Sequence, residues 1–185
     1  RYYAIELNES SEFVNAIEDH YKPKFSGDTL PRDRLGDLSA LADKFETLIS
    51  LFSINEIPTG DRDPFGLRRN VIGIIRIIIE KNIPLNFIKL INKFIPSENE
   101  REKLLLIKFI YERLFNYLKE KEYTSEQVEA VLSLKYAYIN DLPNRLEALN
   151  SFTKLTQSQG LASANKRVKN ILKKLFLIFL TKQKK

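Results

Sequence analysis

The sequence predicts an all-α fold: a helical bundle with an additional helical segment at its C-terminal end. Apolar residues recur at spacings of three and four over long stretches, and residues typical of helix N-caps precede several of these stretches. No stretch alternates between apolar and polar residues as a half-buried strand would. With 185 residues, 43% of them hydrophobic, the chain is long enough to bury a substantial core.

The first predicted helix is short and modestly amphipathic. Ser10 or Ser11 is its expected N-cap. Its apolar stripe is predicted to consist of Phe13, Val14, Ile17 and Tyr21. A loop marked by Pro23, Gly27 and Pro31 follows. Lys22, Lys24 and Arg32 in this loop could contact phosphate or simply be solvated.

The second predicted helix begins near Gly36 and has two different faces. One face is apolar, with Leu38, Leu41, Phe45, Leu48 and Phe52 at helical spacing and Ile49 beside them. The opposite face carries small or short side chains, namely Gly36, Ser39, Ala40, Asp43, Thr47 and Ser50. Small side chains allow a second helix to approach closely, so we expect this helix to be central.

The third predicted helix runs to Glu80 and is almost entirely apolar. Asp63 is its expected N-cap, and Pro64 its first residue, where a missing N–H costs nothing. The isoleucine-rich run would also fit a strand, but its length and cap favour a helix. Arg76 and Glu80 are spaced to pair across one turn.

Four further helices complete the prediction. Their starts are signalled by Pro84, by Ser97 with Glu100, by Thr124 with Gln127, and by Asp141 with Pro143. Inward residues are predicted for three of these helices. They are Leu85, Ile88, Ile91 and Phe94 after Pro84; Leu104, Ile107, Tyr111, Leu114 and Leu118 after Ser97; and Leu146, Leu149 and Phe152 after Asp141. A polar loop, TQSQG, leads into a final helix.

The basic character of the chain is concentrated in this final helix. Residues 161–185 contain eight Lys or Arg and no acid, while the other 160 residues carry a net charge of −2. Lys166, Arg167, Lys169, Lys173 and Lys174 crowd a helix whose Val168, Ile171, Leu172 and Leu175 are predicted to face inward. Such a helix could serve solubility, bind RNA, or lie on an anionic membrane surface.

Several classes of function lack their sequence signatures. There is no cysteine, which excludes disulfides and thiolate metal sites and favours a reducing, cytoplasmic setting. No signal peptide is visible, and the apolar run at 175–180 is far shorter than the ~20 residues that span a bilayer. Neither a phosphate-binding glycine motif nor an activated serine or cysteine is present.

Three motifs resemble one known family. They are HYKPKFSGDTLPRDRLGDLSALADKFETLISLF at 20–52, PTGDRDPFGLRR at 58–69 and ANKRVKNIL at 164–172, with a compatible segment at 109–132. In this order they resemble the beta chain of the bacterial, two-subunit glycyl-tRNA synthetase. The resemblance extends over nearly everything up to about residue 172.

The resemblance implies a fold like that of the HD family of helical phosphohydrolases. It divides the chain into an HD-like core at 1–95 and a helical continuation at 96–185 that ends in the basic helix. RYYA is internal in the family, so we expect a fragment that stops at the truncated start of the anticodon-binding region.

The resemblance also implies a function without chemistry of its own. The beta chain would brace an α2β2 glycine–tRNA ligase and orient tRNA(Gly), while the alpha chain activates glycine with ATP and Mg²⁺. We therefore expect no catalytic residue and no cofactor in this fragment, and the alpha chain and tRNA(Gly) as partners, with no membrane partner.

The expected tRNA-binding residues are Lys166, Arg167, Lys169, Lys173, Arg68 and Arg69. The two arginines could grip an RNA phosphate, or they could bind Asp61, Asp63 or Asp43 and hold the loop in place. ANKRVKNILKK is the stronger candidate, because the resembling family places it at the entry to its tRNA-binding region.

Asp43 resembles the last metal-binding aspartate of an HD site, but the other ligands are missing. An HD site needs two histidines, and this chain has only His20, followed by Tyr21. We therefore expect no metal and a buried, hydrogen-bonded Asp43. The alternatives to the tRNA function are an HD-type metal phosphohydrolase and a helical protein-interaction module that does not bind RNA.

Overall fold

The computed structural model describes residues 1–182, without the side chains of Ser97 and of 173–182. Within this part of the chain there are nine α-helices and no β-strand, which confirms the predicted all-α class. The helices are α1 Tyr2–Glu6, α2 Ser11–Asp19, α3 Arg34–Ser53, α4 Leu67–Glu80, α5 Phe87–Phe94, α6 Glu100–Lys119, α7 Ser125–Leu132, α8 Leu142–Thr153 and α9 Ser158–Lys182. Short 3-10 helices at Ser97–Asn99 and Ile139–Asp141 precede α6 and α8.

The chain forms two compact units, residues 1–144 and residues 145–185. The first unit extends past the predicted division between residues 95 and 96, because α6 packs on both α3 and α4. The likeness to the HD family in particular stays a prediction.

The core of the first unit is built around α3, as predicted. This helix packs against α2, α4 and α6. Leu48 and Phe52 of α3 and Ile75 of α4 are completely buried, and the Phe52 ring lies 5.4 Å from that of Phe109 in α6. Burying a side chain of this size contributes roughly 1.5–3 kcal/mol, so this layer of apolar residues is the main support of the fold.

Helix α3 begins at Arg34 because the Asp33 carboxylate accepts a hydrogen bond from the backbone N–H of Gly36, at 2.8 Å. At Gly36 a Cβ atom would lie only 3.2 Å from Asp19 Cβ and 3.1 Å from Pro31 Cβ. The predicted close approach is therefore confirmed at this end of the small-residue face. Farther along, Ser50 is exposed.

Helix α4 begins three residues later than predicted. Pro64 lies before the helix, and Gly66, with a φ of 65°, is the residue that precedes Leu67. Asp63 still satisfies the first turn, because its carboxylate accepts from the backbone N–H groups of Leu67 and Arg68 at 2.8 and 3.0 Å. The predicted acceptor was right and the predicted start was wrong.

A chain of hydrogen bonds links α4 to two distant segments. The predicted pair is confirmed, with Arg76 Nε 2.9 Å from Glu80 Oε1. Arg76 Nη1 also donates to the carbonyl of Asp28, at 2.8 Å, and the Tyr117 hydroxyl of α6 donates to Glu80 Oε1 at 3.2 Å. Burial raises the pKa of Glu80, but its bonds to Arg76 and Tyr117 outweigh burial and hold that pKa below its ordinary value.

Of the later helices, α7 begins as predicted and α5 begins later than predicted. Thr124 and Gln127 form the predicted capping box of α7. Helix α5 begins after Asn86 instead of at Pro84, because the Asn86 side chain accepts from the backbone N–H of Lys89. Helix α6 begins at Glu100 after the 3-10 turn, and the predicted capping role of Ser97 lies outside the described side chains.

Several residues predicted to face inward are exposed. Neighbouring elements cover only part of each apolar stripe, and Tyr21 lies beyond the end of α2, so some apolar residues meet solvent. These exposed residues are Phe13, Tyr21, Leu38, Phe94, Leu104 and Phe152.

Candidate nucleic-acid interface

The candidate interface is helix α9 in the second unit. A tight turn after α8 sets its start: the Ser158 hydroxyl is buried and donates to the Leu155 carbonyl at 2.7 Å. The backbone N–H of Ser158 donates to the same carbonyl at 3.1 Å. From Ser158 the helix runs 25 residues without an acidic side chain.

The cations of α9 are placed where a polyanion could reach them. Lys166, Arg167 and Lys169 are exposed, and none of the three forms a hydrogen bond or ion pair with another described residue. Lys173 lies outside the residues whose side chains are described. Because no neighbouring acidic group competes for them, such cations can bind the phosphates of a nucleic acid directly.

The apolar residues of α9 are not where the sequence predicted them. Val168, Ile171 and Leu172 were expected to face inward, but each is more than half exposed. Among the residues that the structure describes, the helices of the second unit are the end of α8 and α9. The prediction was wrong because helical spacing shows which residues share a face, and only a packed neighbour can bury that face.

Arg68 and Arg69 lie at the start of α4 and have different surroundings. The Arg68 guanidinium donates to the Gly60 carbonyl and so holds the loop between α3 and α4. It therefore binds a backbone carbonyl rather than Asp61, Asp63 or Asp43. Arg69 is exposed and has no partner among the described residues. The geometry gives Arg68 a structural contact and leaves Arg69 available to a ligand.

Asp43 is exposed, so the prediction of a buried acceptor was wrong. The next residue, Lys44, occupies the buried position instead, and its Nζ donates to the Tyr21 carbonyl at 3.3 Å. Burial lowers the pKa of Lys44, and the neighbouring Asp43 charge opposes that shift. In the described part of the chain no cluster of three or more His, Cys, Asp or Glu side chains could hold a metal ion.

The loop before α3 is held by a buried carboxylate that the sequence did not single out. Asp19 is completely buried and accepts from the backbone N–H and the Nε of Arg32, at 2.7 and 2.9 Å. Lys22 Nζ lies 3.0 Å from its other oxygen. Burial raises the pKa of Asp19, but the bonds from Arg32 and Lys22 together outweigh burial and lower that pKa to about 2. Lys22 and Arg32 therefore both bind Asp19, and Lys24 is the one predicted cation of this loop that does not.

Two structural features were not predicted from the sequence: the helix cap at Asp33 and the buried carboxylate of Asp19. Asp33 could have been recognised as a helix cap, since it precedes the periodic apolar run of α3. Asp19 carries no such signal, because its partner Arg32 is 13 residues away and only the fold brings the two together.

No helix within the described range combines the length and apolarity required to cross a bilayer.

Comparison with known proteins places the chain in one family. A family model described as glycyl-tRNA synthetase beta subunit matches residues 1–133. The chain is 46% identical to the glycine–tRNA ligase beta subunit of Acidovorax sp. (strain JS42) over 94% of its own length. It is 50% identical over 86% of its length to the subunit of Leptothrix cholodnii, and 47% identical over 95% to that of Dechloromonas aromatica. These alignments span 24%, 23% and 25% of the respective relatives.

The family model and the relatives agree on one class of protein, the beta subunits of glycyl-tRNA synthetases. The chain belongs to the glycyl-tRNA synthetase beta subunit family. It spans about a quarter of the length of the curated relatives that it matches.

Proposed function

We propose that this chain is a helical section of the beta subunit of a glycine–tRNA ligase, in which it braces the assembly and helps to bind and orient tRNA(Gly). The observation that carries the proposal is the family match over residues 1–133, joined to identities of 46–50% with curated beta subunits. Glycine activation, with ATP and Mg²⁺, would lie on the alpha chain.

The proposed RNA contact is made by α9. Lys166, Arg167 and Lys169 are exposed and unpaired among the described residues, and no acid on the helix competes for them. RNA phosphates are the polyanion that an aminoacyl-tRNA synthetase meets. Arg69, exposed at the start of α4, is a second candidate for a phosphate contact, and Arg68 is a weaker one because its guanidinium already binds Gly60.

The proposed bracing role belongs to the first unit. Arg32 and Lys22 of this unit bond to the buried Asp19 carboxylate, and these contacts fix the loop before α3 in place. A fixed surface of this kind suits a permanent contact with the alpha chain. Binding of the purified alpha chain in the absence of tRNA, measured by calorimetry, would test this part separately.

The decisive experiment is fluorescence anisotropy of labelled tRNA(Gly) titrated with the chain at several salt concentrations. We expect binding whose log–log salt slope is several units, since each phosphate contact contributes about 0.7–0.9. Replacing Lys166, Arg167 and Lys169 together by Ala should lower the affinity at least about tenfold and reduce the slope by about 2–3.

A matched control removes the same charge elsewhere. Lys89, Lys93 and Arg101 are exposed cations of the first unit, and their replacement by Ala should leave most of the tRNA affinity intact. Equal losses from both triple variants would show a nonspecific effect of net charge. No binding at low salt would refute the RNA contact and leave the bracing role standing.

A further inference from the structure

The loop between α3 and α4 forms a small cavity that opens to solvent. The cavity has a volume of about 210 Å³ and is lined mainly by polar groups. Glu56, Thr59, Arg62 and Phe65 are among the residues that line it. Pockets for drug-sized ligands measure roughly 300–1,000 Å³, so this cavity suits a smaller group, of the size of one nucleobase.

Hydrogen bonds hold this loop in one shape. The backbones of Thr59 and Arg62 exchange two bonds, of 3.1 and 2.9 Å, around a turn in which Gly60 has a φ of 51°. The Arg68 guanidinium donates to the Gly60 carbonyl, and the Asp63 carboxylate accepts from the first turn of α4. A site whose backbone is already ordered loses little conformational entropy when a ligand binds.

Two arginines beside the cavity have no partner among the described residues. Arg62 and Arg69 are both exposed, and neither side chain forms a hydrogen bond or ion pair, even with Asp61, which adjoins Arg62 in the sequence. A Cβ atom on Gly66 would lie 3.9 Å from Arg69 Cζ, so the Arg69 guanidinium lies over the residue that follows Phe65. A free guanidinium presents a planar set of donors that matches a phosphate.

Phe65 adds an exposed aromatic ring to these cations. The residue is 52% exposed, and no aromatic ring or cation stacks on it in the part of the chain that the structure describes. Aromatic rings next to cations bind single-stranded nucleic acid, because an unpaired base can stack on the ring while its phosphate meets the cation. Bases inside a double helix are already paired and stacked on one another, so they cannot reach such a ring.

We propose that the loop between α3 and α4, together with Arg69, binds one unpaired nucleotide of an RNA. The base stacks on Phe65 at the cavity, and the phosphate is held by Arg69 and Arg62. The Thr59 hydroxyl and the Glu56 carboxylate supply hydrogen-bonding groups for the edge of the base. The inference rests on the proposed function, because it takes RNA as the ligand. It differs from the α9 contact because the loop recognises a base as well as a phosphate.

The chain contains no tryptophan, so Phe65→Trp would place a single fluorophore at the proposed stacking position. We expect a single-stranded oligoadenylate of about six nucleotides to quench this fluorophore, since a stacked base quenches indole emission. Phe25→Trp is the matched control, because Phe25 is 61% exposed and adjoins Lys24 in another loop. It should show little quenching, and equal quenching in both variants would overturn the proposal.

Two further ligands separate base stacking from charge. An abasic oligomer of the same length keeps the phosphates and removes the bases. It should bind at least about tenfold more weakly than the oligoadenylate to a chain whose Lys166, Arg167 and Lys169 are replaced by Ala, measured by anisotropy of the labelled oligomers. Equal affinities would mean that only charge is recognised and would refute the site. Oligoadenylate paired with its complement should leave the fluorescence of Phe65→Trp unchanged, and strong quenching by this duplex would contradict binding of an unpaired base.

Side-chain variants of the loop distinguish a contact with RNA from a loss of structure. Arg69→Gln should weaken oligoadenylate binding about fivefold and lower the log–log salt slope by about 0.7, since one phosphate contact is lost. Phe65→Ala should weaken binding at least about fivefold and leave the slope unchanged, since stacking carries no charge. Arg101→Gln removes an exposed arginine of α6 and should change neither quantity. The same fall in slope in all three variants would overturn the proposal.

Titration with tRNA(Gly) separates a failure of this site from a failure of the proposed function. If labelled tRNA(Gly) binds the chain but neither it nor the oligoadenylate quenches Phe65→Trp, the nucleotide site is refuted and the α9 contact stands. If the oligoadenylate quenches Phe65→Trp but tRNA(Gly) does not bind, the nucleotide site is supported and the tRNA contact is refuted.

Discussion

Helices α4 and α9 have similar apolar stripes and opposite surroundings. In α4 the residues Val71, Ile74, Ile75 and Ile78 are at most 1% exposed, because α3 and α6 pack against them. In α9 the corresponding stripe is more than half exposed. The comparison shows that apolar spacing predicts a helix and its preferred face, while burial depends on the elements that pack against that face.

The two helices differ in their charges as well. In α4 the side chain of Arg76 bonds to Glu80 and to the Asp28 carbonyl, and that of Arg68 bonds to the Gly60 carbonyl, whereas Arg69 is exposed. On α9 the cations Lys166, Arg167 and Lys169 are left without partners among the described residues. Charged side chains of α4 thus help to hold the fold, whereas these three cations of α9 are exposed to solvent.

The strongest test of this comparison is the same substitution in both helices. Ile75→Ala removes a completely buried side chain and should lower the free energy of unfolding by about 2–5 kcal/mol. Ile171→Ala removes an exposed side chain and should change this free energy by less than about 0.5 kcal/mol. Urea unfolding followed by circular dichroism measures both. Equal effects would mean that the apolar stripe of α9 is covered in solution.

A second test concerns the buried carboxylate of the first unit. Asp19→Asn should lower the free energy of unfolding by about 2 kcal/mol at neutral pH, since the pKa of Asp19 is about 2 against 3.8 in its ordinary state. A lowered pKa stabilises the fold above the ordinary value, so the contribution should disappear as the pH falls from about 4 to 2. The difference between the parent and the variant should shrink over that interval in unfolding experiments.

The α9 counterpart of this test is Lys169→Gln. This substitution should change the free energy of unfolding by less than about 0.5 kcal/mol at every pH, because this cation has no partner in the described structure. If Asp19→Asn showed the same difference at pH 2 as at pH 7, Arg32 and Lys22 would not be the source of the stabilisation.

A change of stability with the opposite sign is expected at Lys44. Its ammonium is buried and has a single described hydrogen bond, to the Tyr21 carbonyl. Lys44→Met keeps the aliphatic stem and removes a buried charge, so we expect a gain of about 1 kcal/mol at neutral pH. Because burial lowers the pKa of Lys44, the parent chain should recover this difference as the pH rises toward 10.5. A loss of stability in Lys44→Met at neutral pH would show that the bond to Tyr21 outweighs the cost of burial.

The sequence was sufficient for the class of fold and for most of the helices. It predicted α3 from the spacing of Leu41, Phe45, Leu48 and Phe52, all of them buried. It predicted a buried Asp43 on the small-residue face, whereas Asp43 is exposed and the adjacent Lys44 is buried. Lys44 is the buried one because α4 crosses there at Gly73, where a Cβ atom would come within 2.8 Å of Lys44 Cε. Such a crossing is a tertiary feature with no local signal.

The sequence identified the positively charged residues of the candidate site, but it could not give their contacts. The cations of α9 were predicted as candidates from the local excess of basic residues and from the family resemblance, and the structure leaves Lys166, Arg167 and Lys169 exposed. Whether Arg68 binds a phosphate or holds a loop could not be decided from its spacing, because its partner is a backbone carbonyl at Gly60. Backbone carbonyls occur at every position and give no sequence pattern.

The hydrogen-bond chain from the Asp28 carbonyl through Arg76 and Glu80 to Tyr117 has a consequence for motion. Its partners are separated by 48 residues on one side and 37 on the other, yet the same two side chains of α4 serve both. Fraying of the loop before α3 would therefore release Arg76, weaken its hold on Glu80 and loosen α6 in turn. These three segments should open and close together as one cooperative unit. A ligand that ordered the loop at Asp28 should therefore also reduce the mobility of Tyr117.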